Sequence, residues 1–285
     1  MAVVTATTGV AAAAASPAKV QKNQSNDAKL NRALHAWAGF PVGSSPRRLV
    51  LLQGYVLNPE YGFGDDNGKE AFLDGDITAP ATWPASPASS TGFPIVGAAA
   101  AFKTLTTPST NSLGTPPPLA TSGVQLGSGL FLTDRGWRVL PAWLYSLTGV
   151  QNPAKVLAVA ASALYSAPIT RGGMSPSQMS ATVSPNGRQL VATFVGDAAG
   201  TGPCTAGYTL SFKESKQAVA LLVIAHPHGA ANGAAYTCTL VGYSRHATVG
   251  LKAPLGKRVV VDATSEGAMA VTRVAASASG GATGG

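Results

Sequence analysis

Residues 205–225 read TAGYTLSFKESKQAVALLVIA, and this stretch decides the fold. In its first half Tyr208, Leu210 and Phe212 alternate with Thr209 and Ser211, the period-2 pattern of a half-buried strand. Its second half, 217–225, is an uninterrupted apolar run, as expected of a strand covered on both faces. Upstream, Ser184-Pro185-Asn186-Gly187 is a tight-turn signal between apolar runs at 179–183 and 189–195. Downstream, 236–241 carries Cys238, and Ala247, Val249 and Leu251 alternate again. Pro254-Leu255-Gly256 turns into 258–262, and 269–271 closes the series. About eight short strands at steady spacing predict a β-sandwich, here immunoglobulin-like, over residues 169–275.

The N-terminal region, 28–168, reads as an α+β or β-rich domain, so the chain as a whole is expected to be mainly β (β-rich α+β). A helix is predicted over 27–37, with Asp27 as cap and Leu30, Leu34 and Trp37 at helical spacing. Residues 48–57 (RLVLLQGYVL) read as a strand bounded by prolines. A Gly/Asp-rich turn over 62–68 leads to a predicted strand at 69–77, whose alternation Phe72 interrupts. Residues 95–105 read as a helix by alanine content, with Gly97 against it, and 106–123 reads as a long Pro/Ser/Thr-rich loop. Residues 129–140 predict a hairpin turning at Asp134-Arg135-Gly136. Apolar segments follow at 142–147 and 154–164. Residues 1–27 read as a signal-peptide remnant and linker, and 276–285 as a flexible tail.

Charge is sparse. Only 11% of the 285 residues are Asp, Glu, Lys or Arg, while 33 glycines and 20 prolines favour turns and strands. The formal charge of +8 directs attention to anionic partners. Along the chain, however, the bases are scattered. Arg47 with Arg48, and Lys257 with Arg258, are the only adjacent pairs, and no aromatic residues interleave with a basic run. Nucleic acid is therefore not the expected partner. A cell-wall polymer or an envelope protein is.

The chain has two cysteines, Cys204 and Cys238, and no CxxC spacing. In an exported protein they read as one disulfide. Residues 2–15 are small and mildly apolar and end in an alanine run, like the late segment of a signal peptide with an A-x-A exit. No apolar run is long enough to span a membrane.

No motif carries catalysis. His226-Pro-His228 is the one close histidine pair, and no Cys, Asp or Glu lies near it in sequence to complete a metal site. The acidic stretch Gly64-Asp65-Asp66-Asn67-Gly68-Lys69-Glu70 fails the EF-hand register. There is no G-x-S-x-G, phosphate loop or dinucleotide fingerprint, and no metal or cofactor is predicted. The most distinctive segment is Thr133-Asp134-Arg135-Gly136-Trp137, followed by Pro141-Ala142-Trp143. Asp134 and Arg135 suit a turn lock, and Trp137 and Trp143 an aromatic platform for a sugar or peptide. The bland alternative packs both indoles in the core.

Segments 133–150 (TDRGWRVLPAWLYSLTGV) and 202–271 resemble an uncharacterised group of secreted and lipoprotein-like proteins of high-GC Gram-positive bacteria (actinobacteria). The resemblance is strongest around Cys204, Cys238, Pro254-Leu255-Gly256 and Val260-Val261-Asp262, and this chain lacks the lipobox cysteine of the group. The resemblance implies export and the disulfide, and it implies no activity. The expectation is an exported, non-enzymatic binding or structural module of the cell envelope or extracellular space. The rival is a secreted hydrolase of a wall polymer or glycan. Its mark would be Asp134, Arg135 and an acid from 60–76 converging beneath the 106–123 loop.

Overall fold

The alternation at Tyr208, Leu210 and Phe212 and the apolar run after it form two paired strands in the computed structural model. The structure describes residues 17–108, 116–168, 179–229, 237–239 and 241–275, with side chains from residue 25 onward. The expected signal-peptide remnant up to residue 16 and the expected tail, 276–285, lie outside the described residues. So does 169–178, where the sequence places its domain boundary. In chain order the elements are α1 (Pro17–Ala36), β1 (Val56–Leu57), α2 (Asp66–Asp74), β2 (Ile77–Thr78), β3 (Ser89–Ser90), β4 (Phe93–Pro94) and α3 (Ala98–Leu105). There follow β5 (Leu119–Thr133), β6 (Gly136–Leu147), β7 (Ala154–Leu157), β8 (Ser180–Val183), β9 (Gln189–Gly196) and β10 (Ala206–Glu214). Last come β11 (Ala218–Pro227), β12 (Tyr243–Gly250), β13 (Val259–Asp262) and β14 (Ala270–Arg273). The protein is mainly β, with several sheets that mix parallel and antiparallel pairs.

The N-terminal sheet has the order β1-β7-β6-β5-β2 and centres on the long β5–β6 hairpin. The hairpin is longer than predicted, because its first strand begins at Leu119, inside the expected 106–123 loop. Of that loop, 109–115 lies outside the described residues. One face of the sheet packs Trp143, Tyr145 and Val156 against Phe72, Ala101, Phe102 and Leu105 of α2 and α3. The other packs Phe131, Leu140 and Leu157 against Leu49 and Leu164.

Residues 69–77, predicted as a strand, are mostly helix. Asp65 caps α2 by accepting from the Gly68 amide at 2.7 Å, and Gly75 ends it in the left-handed region (φ 74°). Phe72, which interrupts the alternation, is buried beside Ala71 on the helix face that meets the sheet. The acidic density at 65–66 is thus the start of a helix. The alanine content of 95–105 prevails over Gly97, which sits at the N-cap of α3, outside the helix proper.

The C-terminal region contains a sheet of order β12-β9-β8-β14 and another of order β10-β11-β13. Leu190, Ala192, Val249 and Val271 of the first share a core with Val219, Leu221 and Val260 of the second. The opposite face of the three-stranded sheet presents Ala218, Ala220, Leu222, Val259 and Val261. Helix α1 and the chain after it cover that face through Leu30, Ala33, Trp37 and Phe40. This explains the unbroken apolar run of β11, which is sandwiched between two layers. It also puts the helix predicted for the N-terminal domain into the core of the C-terminal sheet. The helix starts ten residues before the predicted cap, so some of the expected linker is helical. No strand forms over the described residues of 236–241. There Cys238 is bonded to Cys204, S–S 2.06 Å. Such a bond belongs to an oxidising compartment. Among the described residues no helix is long and apolar enough to cross a membrane.

Candidate functional site

The β5–β6 hairpin turns through Asp134 and Arg135, with Gly136 at φ 76°, a backbone conformation that favours glycine. Thr133 Oγ1 braces the turn by donating to the Gly136 carbonyl (2.8 Å) and accepting from the Arg135 amide (3.1 Å). Asp134 is 1% exposed. Its carboxylate takes both Nη atoms of Arg47 and the Val50 amide (3.0 Å), with Arg135 Nε at 3.9 Å. The Arg47 guanidinium lies over the Phe40 ring, 4.7 Å from its centroid. This is a buried, multiply hydrogen-bonded ion pair that ties the hairpin end to the segment entering the first sheet.

The same arginines reach a third segment. Arg47 Nε donates to the Lys257 carbonyl (2.7 Å), and Lys257 Nζ returns to the Ser44 carbonyl (2.9 Å). Arg135 Nη2 donates to the carbonyls of Gly256 (3.1 Å) and Arg258 (3.2 Å). Burial lowers the pKa of Arg135 to about 10, helped by the charges of Arg47, Arg273 and Arg138 and opposed by Asp134. Arg258 pairs with Glu214 at 2.6 Å. Arg188 donates to the Lys252 carbonyl (2.8 Å), and Arg273 to the Pro185 carbonyl (2.9 Å). One end of the molecule is therefore basic and built from five separate segments. Arg48, Arg138, Lys252, Lys257 and Arg273 are exposed there.

Beside this end the outer face of the hairpin is apolar. Leu130 pairs across the strands with Val139, and Leu132 with Trp137. Cross-strand partners share a face, so the four side chains form one patch. Trp137 is 60% exposed, Val139 69% and Leu130 52%. Trp143, six residues along the same strand, is 0% exposed, and its Nε1 donates to the Val96 carbonyl (2.7 Å). The structure thus brings Asp134, Arg135 and Trp137 to one end and leaves Trp143 in the core. The two indoles do not form a platform.

Two of the acids of 60–76 are engaged elsewhere. Glu60 pairs with Lys155 at 2.6 Å, a hydrogen bond that holds its carboxyl below the usual range, and Asp65 caps α2. Asp134 is satisfied by Arg47 and Val50 rather than facing a second carboxylate. His226 Nε2 is hydrogen-bonded to Thr209 Oγ1 (2.8 Å) and His228 Nδ1 to Thr205 Oγ1 (3.0 Å). Among the described residues no group of three His, Cys, Asp or Glu side chains is placed to hold a metal.

Sequence order hides the basic end. Arg47 and Lys257 are 210 residues apart, and the one local signal is the recurrence of two adjacent basic pairs. No family model, curated protein or solved structure matches the chain.

Proposed function

We propose that the protein is an exported binding module of the cell envelope or extracellular space, and that the hairpin end is its contact surface. The observation that carries this reading is Trp137, held 60% exposed beside Val139 on a strand whose turn is locked by the buried Asp134–Arg47 pair. A large aromatic side chain on a rigid element loses little entropy on binding, which makes such residues effective anchors. The Cys204–Cys238 bond supports export, as does the resemblance to secreted proteins of high-GC Gram-positive bacteria. For the C-terminal region, the shared core of the two sheets supports a sandwich. The parallel pairs β8–β14 and β11–β13 count against an all-antiparallel connectivity. The test is co-sedimentation of the purified, unreduced protein with an insoluble cell-wall fraction. Wild type should pellet and Trp137→Ala should stay in the supernatant. A wild-type protein that stays in the supernatant overturns the reading.

A further inference from the structure

We infer that the basic end of the molecule, with Trp137 at its border, is a binding surface for an acidic glycopolymer. Its repeating phosphate or carboxylate groups pair with the arginines and lysines, and a sugar face lies on the indole. This inference rests on the binding-module reading and names the class of ligand.

The charge distribution carries it. The segments 47–48, 135–138, 188, 252–258 and 273 are joined to one another by the hydrogen bonds described above. They hold nine of the chain's 20 basic residues. Two carboxylates, Asp134 and Glu214, are built into this end, and both are occupied by arginines. The rest of the sequence then has 11 basic and 10 acidic residues, so nearly all of the +8 resides here. A concentration of like charge costs folding energy and attracts an extended polyanion. Many of the guanidinium and ammonium groups are anchored on backbone carbonyls, which fixes their spacing before any ligand arrives.

The shape favours a polymer over a bilayer. The hairpin turn is packed down, with Asp134 buried and Arg135 bonded to the 256–258 loop, so no apolar tip projects to enter lipid. Trp137, Val139 and Leu130 lie on one face of the β5–β6 pair instead. The disulfide places the protein in an oxidising compartment, which favours an envelope polymer over nucleic acid.

The full, unreduced chain can be titrated with four probes: alginate as an acidic glycan, dextran as a neutral one, single-stranded DNA, and phosphatidylglycerol vesicles. Alginate should bind and dextran should not. Alginate affinity should fall at least about tenfold between roughly 50 and 200 mM NaCl, as expected when about three ion pairs form. The exposed triple variant R48Q/R138Q/K252Q should weaken alginate binding about tenfold or more at low salt, by the same rule, and melt like wild type. If it melts early, R138Q and K252Q singly carry the test, each with a smaller loss. Equal binding of dextran and alginate, or unchanged binding by the charge variants, overturns the inference. So does tighter binding to DNA or to vesicles at the same ionic strength. If the charge variants still pellet with the wall fraction while Trp137→Ala does not, the binding-module reading stands and the acidic-glycopolymer inference falls.

Discussion

Arg47 Nε sits 2.7 Å from the backbone carbonyl of Lys257, across 210 residues of chain. The guanidinium that makes this bond also grips Asp134, so one side chain joins the hairpin turn, the entry to the first sheet and the loop before β13. The proposed contact surface is thereby assembled by the tertiary fold, and one buried carboxylate helps to hold it.

Removing that carboxylate should be costly. Asp134→Ala leaves the Arg47 side chain, 11% exposed, without its counter-charge. Breaking a buried pair from one side costs about 3–5 kcal/mol. Urea unfolding of Asp134→Ala, Arg47→Ala and the double variant checks this. The double variant should cost clearly less than the two single losses together, because the pair acts as a unit.

The two tryptophans on β6 should behave oppositely. Trp137→Ala should change stability by no more than about 0.5 kcal/mol, as for an exposed side chain, while losing wall-fraction binding. Trp143→Ala should cost about 3–5 kcal/mol, since it empties a packed site and leaves the Val96 carbonyl without its indole donor. Thermal melts alongside the sedimentation assay separate the two effects.

Mass spectrometry of the unreduced protein should find no free thiol. Reduction, or Cys204→Ser with Cys238→Ser, should lower stability by about 3–4 kcal/mol in the chain-entropy model for a loop of 34 residues' separation. A melting temperature that reduction leaves unchanged would count against this.

Glu214 gives the fold a pH dependence. Burial favours its neutral form, but hydrogen bonds from Arg258 and the Lys252 amide outweigh this and hold its carboxyl below the ordinary value of 4.5. A group whose pKa is lower in the folded state stabilises fully above its unfolded pKa. That contribution is lost as pH falls through the folded value. Stability should therefore drop below about pH 4.5, and Arg258→Gln should flatten the acid limb of the profile. Melting temperature against pH for both proteins is the measurement.

Local features are legible in the sequence, and those built at long range are hidden. The turn at Asp134-Arg135-Gly136, the turn at 184–187 and the alternation of β10 each depend on neighbours a few residues apart, and they form where expected. Phe72 is a helix signal set against the wrong period: the residue that breaks a strand's alternation is the one that fits a helix face. At 236–241 the apolar pattern around Cys238 predicts a strand, but the described residues there form none, and Cys238 carries the covalent link to Cys204. The covering of β11 by α1 is foreshadowed by the unbroken apolar run, but nothing local names the helix that covers it. Basic residues that look scattered in one dimension meet at one end, because hydrogen bonds to carbonyls from distant loops leave no trace in sequence spacing.

Hydrogen exchange of the unreduced protein, with and without the cell-wall fraction, tests the contact surface most directly. Added protection should concentrate in 130–139 and 252–258, around Trp137 and the basic loop, with little change over α1. Protection confined to α1 or to the far end of the β10–β11 pair, with 130–139 exchanging as in the free protein, would contradict the account.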